Sequence, residues 1–338
     1  MGGRPVLFVS YSGMLGGAER VLVDCASRLG RPAVLACPDG PLAQAAPIPV
    51  DLLRARSLRL RGTRAPATGA LTGFTLEVAR VVRAVRPAVV AAWSARAVLA
   101  SALLPPGTRI VAVHHDFPPS RTIGAALRAA NRRAARVVAT SRAVAASVGA
   151  ADVLAPGVDL DAWPPAPMPA SNPPRALVLG ALAPWKRADL ALEIAARTPA
   201  LHLTIAGASF DAGFEASLRA RAAQPDLRGR VEFPGALDDP RPALAAANVL
   251  LHCADAEPWG LVLLEALATG RNVVAPAAGG PLEIVTPGAG HLFAPGDPDA
   301  GARALRAALD APDPAAARAR AECFPVEASA ARLAEALR

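Results

Sequence analysis

The chain has 338 residues, which is enough for two domains with substantial hydrophobic cores. Its hydrophobic fraction of 53% excludes a disordered protein, and no apolar run reaches the roughly 18 residues of a transmembrane helix. The net charge of +8 is uneven: residues 1–170 hold 20 basic and 9 acidic residues (+11), whereas residues 171–338 hold 16 and 19 (−3). The basic first half therefore predicts an anionic partner for that half.

The cysteines and the first residues indicate a reduced, cytoplasmic protein. The apolar run over 6–10 is too short for the core of a signal peptide and predicts a first strand instead. The cysteines form no C-x-x-C motif and no paired spacing, so we expect all four to be small core residues: Cys25, Cys37, Cys253 and Cys323.

A strand, a glycine-rich loop and a helix open the chain. The buried strand is predicted over Val6–Ser10, the loop ends in Gly16 and Gly17, and the helix covers 18–29. In this arrangement the backbone can approach a phosphate, and the helix N-terminus faces it. A tight strand-to-helix turn gives the same pattern, so both interpretations stay open at this point.

Five arginines occupy the eleven residues of Arg54–Arg64. The simplest interpretation is a solvated basic surface. No aromatic residues interleave with the arginines, which argues against single-stranded nucleic acid. An anionic membrane surface or an anionic acceptor is the alternative, and the protein would then lie peripherally at the inner membrane face.

Two further strands are predicted over 87–93 and 109–113, and the second runs into His114, His115 and Asp116. Histidines at the carboxyl end of a parallel strand lie where α/β proteins bind their ligands. The alternative for a single histidine is a hydrogen bond to a loop carbonyl. Because no third ligand has a suitable spacing, we do not expect a metal site here.

A proline-rich segment, residues 163–174, divides the chain. Six of its twelve residues are proline, which favours a semi-extended backbone. We expect this segment to link an N-terminal domain, 1–162, to a second domain, 175–321. The chain is then expected to end in an amphipathic helix within 322–338.

The second domain begins with a strand over 176–179, a loop that starts at Gly180 and a helix over 189–197. Lys186, in this loop, is the only lysine among 36 basic residues, which indicates a position where a compact ammonium is needed. A lysine in a glycine-started loop ahead of a helix suits a diphosphate.

The stretch over 248–285 predicts a β-α-β unit, with strands at 249–252 and 272–275 and a helix at 260–268 between them. Such units build parallel sheets. Inside the helix, Glu265 has Leu, Val, Ala and Thr three and four positions away, so it does not lie on a polar face. A buried carboxylate without a partner costs roughly several kcal/mol, so something polar should meet it.

Glu257 lies on the loop before this helix, because Pro258 disfavours helical backbone for the residue that precedes it. Both carboxylates would then lie near one helix N-terminus, an environment that suits phosphates and hydroxyls. Acids that accept hydrogen bonds from sugar hydroxyls fit this place. The alternative is that Glu257 caps the helix and Glu265 meets a core arginine or a water molecule.

The spacing of Glu257 and Glu265, with seven residues between them, resembles the E-x7-E signature of retaining glycosyltransferases of the GT-B fold. The segment 257–268 is similar to the pattern E-P-F-G-L-V-x-L-E-A-M-A of family 4. The resemblance covers nearly the whole chain. The patterns G-G-A-E-R, H-D, G-R-L-x-P-x-K-G and G-G-x-x-E-x-V resemble, in that order, residues 16–20, 115–116, 180–187 and 279–285.

This resemblance implies an α/β protein of the GT-B fold. Two Rossmann-like domains with parallel sheets would face each other across a cleft, and the C-terminal helix would cross back to the first domain. The implied reaction moves a sugar from a nucleotide-diphosphate sugar to a glycan, lipid-linked or small-molecule acceptor, with retention at the anomeric carbon. It needs no metal and no other cofactor. The first domain would bind the acceptor, and the second would bind the donor.

The resemblance also implies three catalytic residues. His115 would contact the transferred sugar near the reacting carbon, with His114 as the alternative one position away. Lys186 would neutralise the leaving diphosphate, and Glu257 would hold sugar hydroxyls, while Glu265 would hold the ribose. The residues implied to bind the donor are Gly16, Gly17, Gly180, Lys186, Arg187, Gly235, Ala236, Leu237, Glu257, Pro258, Trp259, Gly260, Leu261 and Glu265.

One departure from the family pattern bears on activity, because the arginine of G-R-L is Ala181 here. Losing one charge-assisted hydrogen bond, worth about 1.5–3 kcal/mol, weakens the hold on a diphosphate unless Arg187 or another arginine compensates. A catalytically silent sugar-nucleotide-binding relative or partner subunit is therefore the first alternative. A sugar-nucleotide epimerase is the second, and nucleic-acid binding rests on charge alone and is not expected.

Overall fold

The computed structural model describes residues 3–54 and 67–338. Apart from Arg54, the stretch Arg54–Arg64 lies outside the described residues, so its contact with a membrane or an acceptor stays a prediction. Within the described ranges, no helix is long and apolar enough to cross a lipid bilayer.

Short strands alternate with helices along the described residues, as in proteins built on parallel sheets. The strands are β1 (Val6–Ser10), β2 (Ala33–Pro38), β3 (Val50–Leu53), β4 (Val89–Trp93), β5 (Ile110–His114), β6 (Arg136–Ala139), β7 (Asp152–Val153), β8 (Arg175–Leu179), β9 (His202–Ala206), β10 (Val231–Gly235), β11 (Val249–Leu251), β12 (Asn272–Pro276) and β13 (Gly290–Phe293). The helices are α1 (Gly17–Ser27), α2 (Pro41–Ala45), α3 (Ala67–Val85), α4 (Ala95–Ser101), α5 (Arg121–Asn131), α6 (Arg142–Val148), α7 (Ala188–Ala196), α8 (Ala212–Ala222), α9 (Arg241–Ala246), α10 (Leu261–Ala268), α11 (Pro281–Ile284), α12 (Pro298–Asp310), α13 (Pro314–Glu322) and α14 (Val326–Ala336).

The chain divides into two compact units. The first comprises Met1–Gly157 and Val326–Arg338, and the second comprises Val158–Pro325. The boundary thus follows residue 157, whereas the sequence predicts it after residue 162. The C-terminal helix α14 belongs to the first unit, where it contacts α1.

The proline-rich segment belongs to the second unit because a buried arginine holds it there. Arg271 is 0% exposed, and its guanidinium donates to the carbonyl oxygens of Ala166 at 2.9 Å and Pro167 at 2.6 Å. It also donates to Leu244 and Ala245 at 3.1 and 3.0 Å. Burial lowers the pKa of Arg271. Its hydrogen bonds to carbonyls offset the cost of burying this charge and fix the segment on the unit.

The first unit contains a sheet of seven strands in the order β3-β2-β1-β4-β5-β6-β7, with every pair parallel. The strands β1, β4 and β5 are buried along their whole length, as expected for a parallel sheet covered by helices on both faces. The strand order reverses between β1 and β4. The carboxyl ends of these two strands therefore form the switch point where α/β proteins bind their ligands.

The second unit contains a sheet of six parallel strands in the order β10-β9-β8-β11-β12-β13. Here the order reverses between β8 and β11. The loops that follow these two strands lie at the second switch point of the chain, and both carry residues that were predicted to bind the donor.

Glycines end three neighbouring strands of the second sheet: Gly180 follows β8, Gly207 follows β9, and Gly235 ends β10. Their φ angles are +150°, +156° and +82°, values that residues with a Cβ atom rarely adopt. A Cβ on Gly207 would lie 1.8 Å from the carbonyl oxygen of Gly180, so a larger residue does not fit there. This close approach lets the loops after β8 and β9 leave the sheet side by side.

The cysteine prediction is confirmed for three residues and wrong for one. All four are free thiols; Cys25, Cys37 and Cys253 are buried, whereas Cys323 is exposed at the end of α13. Burial raises the pKa of Cys25 to about 12 and that of Cys37 to about 11. The three buried thiols are therefore protonated, unreactive core side chains.

Candidate active site

Two loops of the second unit meet at its switch point. One runs from Gly180 to Arg187 after β8, and the other begins at His252 after β11. The side chains of Ala181 and Lys186 line a small recess together with His252. The sequence predicted two of its residues, Gly180 and Lys186, as donor-binding residues.

Lys186 and Glu257 form an ion pair that joins these loops. Lys186 ends a short 3-10 helix, Pro184–Lys186, and its Nζ atom donates to Oε2 of Glu257 at 2.7 Å. The lysine side chain is 31% exposed, whereas the carboxylate side chain is 10% exposed. A ligand can therefore reach the ammonium from solvent while the carboxylate stays inside.

Glu257 is held in its ionised form. Burial alone would raise its pKa, but His252 and the ammonium of Lys186 outweigh burial and hold the pKa well below its usual range. The Nε2 atom of His252 lies 3.3 Å from the same carboxylate oxygen, close enough to stabilise the negative charge, although the contact does not meet the geometry of a hydrogen bond. The site therefore contains a buried carboxylate that accepts hydrogen bonds and donates none.

The backbone of the Glu257 loop is supported by the turn at Gly279 and Gly280. The amide of Gly280 donates to the carbonyl oxygen of Glu257 at 2.9 Å. A Cβ on Gly279 would lie 2.2 Å from that oxygen, and one on Gly280 would lie 2.1 Å from the carbonyl oxygen of Trp259. Only glycines allow this contact, so the turn fixes the loop that carries Glu257.

Trp259 and its neighbours shape the start of α10. The indole of Trp259 is 4% exposed and packs edge-on against Phe324 with ring centroids 5.6 Å apart. Gly260 is the N-cap residue with φ +106°, and no side chain caps the helix. The interpretation in which Glu257 caps this helix is therefore wrong, since the Glu257 carboxylate meets Lys186 instead.

Glu265 lies in the second turn of α10 and is the charged residue of an otherwise apolar helix. It is half-buried, not fully buried as its apolar neighbours in the sequence suggested. Leu261 and Val262, which precede it by four and three positions, are also half-buried, so the three residues share the more open face of the helix. A carboxylate there is accessible to a ligand such as a ribose hydroxyl, and that role stays a prediction.

Arg187 is not placed to compensate for the family arginine that is missing at position 181. Its backbone is left-handed, with φ +54°, and its guanidinium pairs with Asp189 and Asp255. Burial alone would lower the pKa of Arg187, but these two carboxylates raise it. Because the charge is already met inside the protein, Arg187 is a weak substitute for an arginine at position 181.

The loop after β10 holds the residues predicted to bracket the nucleotide base. Gly235 has open space around its Cα, Ala236 is exposed, and Leu237 is half-buried. β10 is two strands from β8 in the sheet, so this loop leaves the same edge as the loop from Gly180. The edge thus collects the predicted base, diphosphate and sugar contacts of the second unit.

The first unit also has residues that were predicted to bind the donor, and they lie at its switch point. Gly16 and Gly17 are exposed at the start of α1, and the amide of Gly16 donates to Glu19 at 3.2 Å. The indole of Trp93, which ends β4, donates to the carbonyl oxygen of Ala18 at 2.9 Å. This bond ties the glycine loop to the carboxyl end of the neighbouring strand.

His115 follows β5 and stacks on Trp93, with ring centroids 4.4 Å apart. Its Nε2 atom is buried and has no hydrogen-bond partner in the described part of the chain. Burial, with a smaller effect of His114, lowers the pKa of His115 to about 3, so its ring is neutral. His114 instead bonds Asn131 at 3.0 Å, which favours His115 over His114 as the residue left for a ligand.

Sequence reasoning missed His252, Asp255 and Arg271. His252 follows a parallel strand as His115 does, so the same rule would have identified it. Arg271 gave no signal, because an arginine beside a turn is usually exposed. Among the described residues, no group of three His, Cys, Asp or Glu side chains could hold a metal ion, and independence of metal stays a prediction.

The two parallel sheets, each with candidate ligand residues at its switch point, place the chain among the α/β proteins built from two Rossmann-like units. Family profiles agree with this class: "Glycosyltransferase Family 4" matches residues 15–162, and "Glycosyl transferases group 1" matches residues 161–322. The chain belongs to the family 4 glycosyltransferases and has the Rossmann-like units of the GT-B fold.

Individual relatives resemble parts or all of the chain. The D-inositol 3-phosphate glycosyltransferase of Mycobacterium avium is 36% identical over 181 residues, which are 49% of this chain and 42% of that protein. The chain thus spans about two fifths of the length of that curated relative. Anabaena Alr3699/HepE, solved in complex with UDP and glucose, has a TM-score of 0.83 and 24% identity over 98% of this chain and 99% of its own. Sucrose-phosphate synthase from Thermosynechococcus elongatus has a TM-score of 0.83 and 20% identity, over 98% of each chain. At these identities the two structures share the fold.

Proposed function

We propose that the protein is a glycosyltransferase that moves a sugar from a nucleotide-diphosphate sugar to an acceptor, with retention at the anomeric carbon and without a metal ion. The observation that carries the proposal is the Lys186–Glu257 ion pair at the switch point of the second sheet. The pair places a reachable cation beside an ionised acceptor of hydrogen bonds. A diphosphate needs the first, and sugar hydroxyls need the second.

In the proposed reaction, the bond between the anomeric carbon and the diphosphate oxygen breaks, and the leaving diphosphate keeps the electron pair. The acceptor hydroxyl oxygen bonds to the anomeric carbon, and its proton passes to an oxygen of the departing diphosphate. Lys186 stabilises the charge that develops on the leaving group, which is electrostatic stabilisation by a group already in place. Glu257 orients the sugar through its hydroxyls. We assign no protein nucleophile.

We extend the proposal to His115 in the first unit. A neutral imidazole with a free nitrogen can accept or donate one hydrogen bond to a sugar hydroxyl without introducing charge. Retention, the absence of a metal and this contact are supported by the likeness to the family. The acceptor is a glycan, a lipid-linked saccharide or a small molecule, and the anionic character expected of it rests on the basic first half of the sequence.

One specific observation favours a second function. Ala181 replaces the family arginine, and the neighbouring Arg187 is already paired with two aspartates. A protein with a single cation for the diphosphate could bind sugar nucleotides and transfer nothing, as a silent relative or a partner subunit.

The first experiment is a thermal-shift panel of UDP, GDP, ADP and their common sugar conjugates on the wild type. UDP is the leading probe because the HepE structure contains UDP and glucose. A nucleotide at 100 times its dissociation constant should stabilise the protein by about 2.7 kcal/mol. A shift with one base that disappears in Lys186→Ala supports the donor site. No shift with any nucleotide refutes it.

Product analysis then separates the two functions. The donor that binds is incubated with candidate acceptors, and the anomeric configuration of the product is read by NMR. Transfer with retention supports the proposal, inversion refutes the stereochemistry, and binding without turnover over the acceptor panel favours the silent relative. Glu257→Gln keeps the shape of the side chain and removes its charge, so the variant should fold but should not turn over the donor.

A further inference from the structure

His252 is a buried histidine of the second unit that lies outside the residues implied by the family resemblance. It follows β11 directly, where the strand order reverses, and it lines the recess with Ala181 and Lys186. The residue is 6% exposed, and its Nε2 atom has no hydrogen-bond partner in the described ranges. A buried and unpartnered ring nitrogen at a ligand-binding edge calls for an explanation.

This nitrogen lies beside the central carboxylate. It is 3.3 Å from Oε2 of Glu257, the same oxygen that Nζ of Lys186 contacts at 2.7 Å. Two nitrogen atoms thus lie close to one carboxylate oxygen, which can accept from both, and Lys186 has the better geometry. A small rotation of the imidazole would complete the second hydrogen bond, so Glu257 has a replacement partner within reach.

The charge of the two loops gives such a replacement a function. Ala181 carries no charge and Arg187 is bound by two aspartates, so Lys186 is the cation of these loops that can turn to a diphosphate. Glu257, however, is 8% exposed and ionised. Removing the partner of a buried charge is unfavourable, so Lys186 turns to a diphosphate more readily if another donor takes its place at Glu257.

We propose that His252 is a positioning residue of the donor site: its ring donates to Glu257 when Lys186 moves from that carboxylate to the diphosphate of the ligand. The inference rests on the proposed function and deepens it. The ion pair of Arg187 with Asp255 joins the same two loops and keeps them together during the exchange.

The test is a double-mutant cycle on nucleotide binding, measured by isothermal titration calorimetry with UDP, GDP and ADP. His252→Leu is expected to weaken diphosphate binding about tenfold, because Lys186 then stays with Glu257. In a Lys186→Ala background the same change should matter less than about twofold. His252→Gln should recover most of the affinity, since its amide nitrogen occupies about the place of Nε2.

The control is His202→Gln, which changes the first residue of β9 at the opposite edge of the same sheet and should leave binding unchanged. Equal affinities of wild type and His252→Leu overturn the inference and leave the proposed function standing. Equal losses in both backgrounds also overturn it, because they indicate a structural role. If the wild type binds none of the three diphosphates, both proposals fall. Should His252→Leu not fold, His252→Asn, whose shorter side chain leaves the gap to Glu257 open, takes its place with the same outcomes.

Discussion

The ion pair between Lys186 and Glu257 should stabilise the second unit even without a ligand. Lys186→Met keeps the aliphatic stem and removes the ammonium from a carboxylate that is 10% exposed. Breaking a fully buried pair costs about 3–5 kcal/mol, but the lysine side chain is 31% exposed and solvent screens part of its charge. We therefore expect a loss of about 1–2 kcal/mol, at the lower end for a hydrogen bond to a charged group.

The assay is a double-mutant cycle of Lys186→Met and Glu257→Gln. Because a chain of two units need not unfold in one step, the free energy of opening is measured by native-state hydrogen exchange on peptides from α10 and β11. The coupling energy should be about 1–2 kcal/mol at neutral pH. Arg241→Met, which breaks the exposed Arg241–Asp239 pair in the same unit, is the matched control and should have little effect.

The pH dependence of this coupling has a definite sign. The pKa of Glu257 is lowered in the folded protein, so the pair contributes fully above the ordinary glutamate pKa of 4.5. Its contribution is lost as the pH falls through the lowered pKa of the folded state, once the carboxylate is protonated. A coupling energy below about 0.3 kcal/mol at pH 7, or one that grows on acidification, would refute the assignment of a structural ion pair.

Three further predictions concern single residues. Gly207→Ala should lower the melting temperature far more than Gly229→Ala, because the first Cβ would lie 1.8 Å from a carbonyl oxygen, whereas the second has φ +77° and open space. Similar melting temperatures would contradict this. Ala181→Arg should tighten UDP binding at least about tenfold by calorimetry, and unchanged affinity would show that position 181 does not face the diphosphate. Since the pKa of His115 is lowered from 6.5 to about 3, the free energy of unfolding should fall as the pH drops between these values. Urea titrations at a series of pH values should show that the free energy of unfolding depends less on pH in His115→Gln than in the wild type. An identical pH dependence would show that His115 is not its origin.

The elements that the sequence predicted best are buried, and their signal lies in a few consecutive residues. The first strand was predicted over Val6–Ser10 and is β1, and the helix predicted at 260–268 is α10. Continuous apolar runs specify such strands because both faces of a parallel sheet are covered. No strand was predicted between residues 30 and 53, where β2 and β3 lie. The alanines and the proline of β2 give a weak strand signal, and β3 has only four residues, one of them an aspartate.

Glu265 illustrates a limit of periodicity. Its neighbours three and four positions away are largely apolar, so the sequence predicted a buried carboxylate. In the helix, Leu261 and Val262 are themselves half-buried, and Glu265 shares their more open face. Apolar identity is a one-way guide to burial, since much of the surface of a folded protein is apolar. The conclusion that Glu265 is accessible requires the packing of α10, which no local pattern contains.

The contacts that define the site join residues far apart in the chain. Lys186 and Glu257 are 71 positions apart, and Arg271 reaches Ala166 across 105. The family resemblance selected the first pair as two ligand-binding residues, but nothing in the sequence indicated that they bind each other. Such pairings follow from strand order, because β8 and β11 are neighbours only after the sheet has formed.

The same pairings explain why one arginine should matter so much at position 181. The two loops carry the cations Lys186 and Arg187, and each is matched by carboxylates: Glu257 for the first, Asp189 and Asp255 for the second. Two positive and three negative charges leave these side chains with no excess of positive charge for a diphosphate. In the proposed donor site, the backbone amides of the glycine loops would supply part of the attraction, and the exchange of partners at Glu257 would supply the rest. An arginine at 181 would balance the three carboxylates with three cations, whereas without it the proposed donor binding depends on how readily Lys186 is released from Glu257.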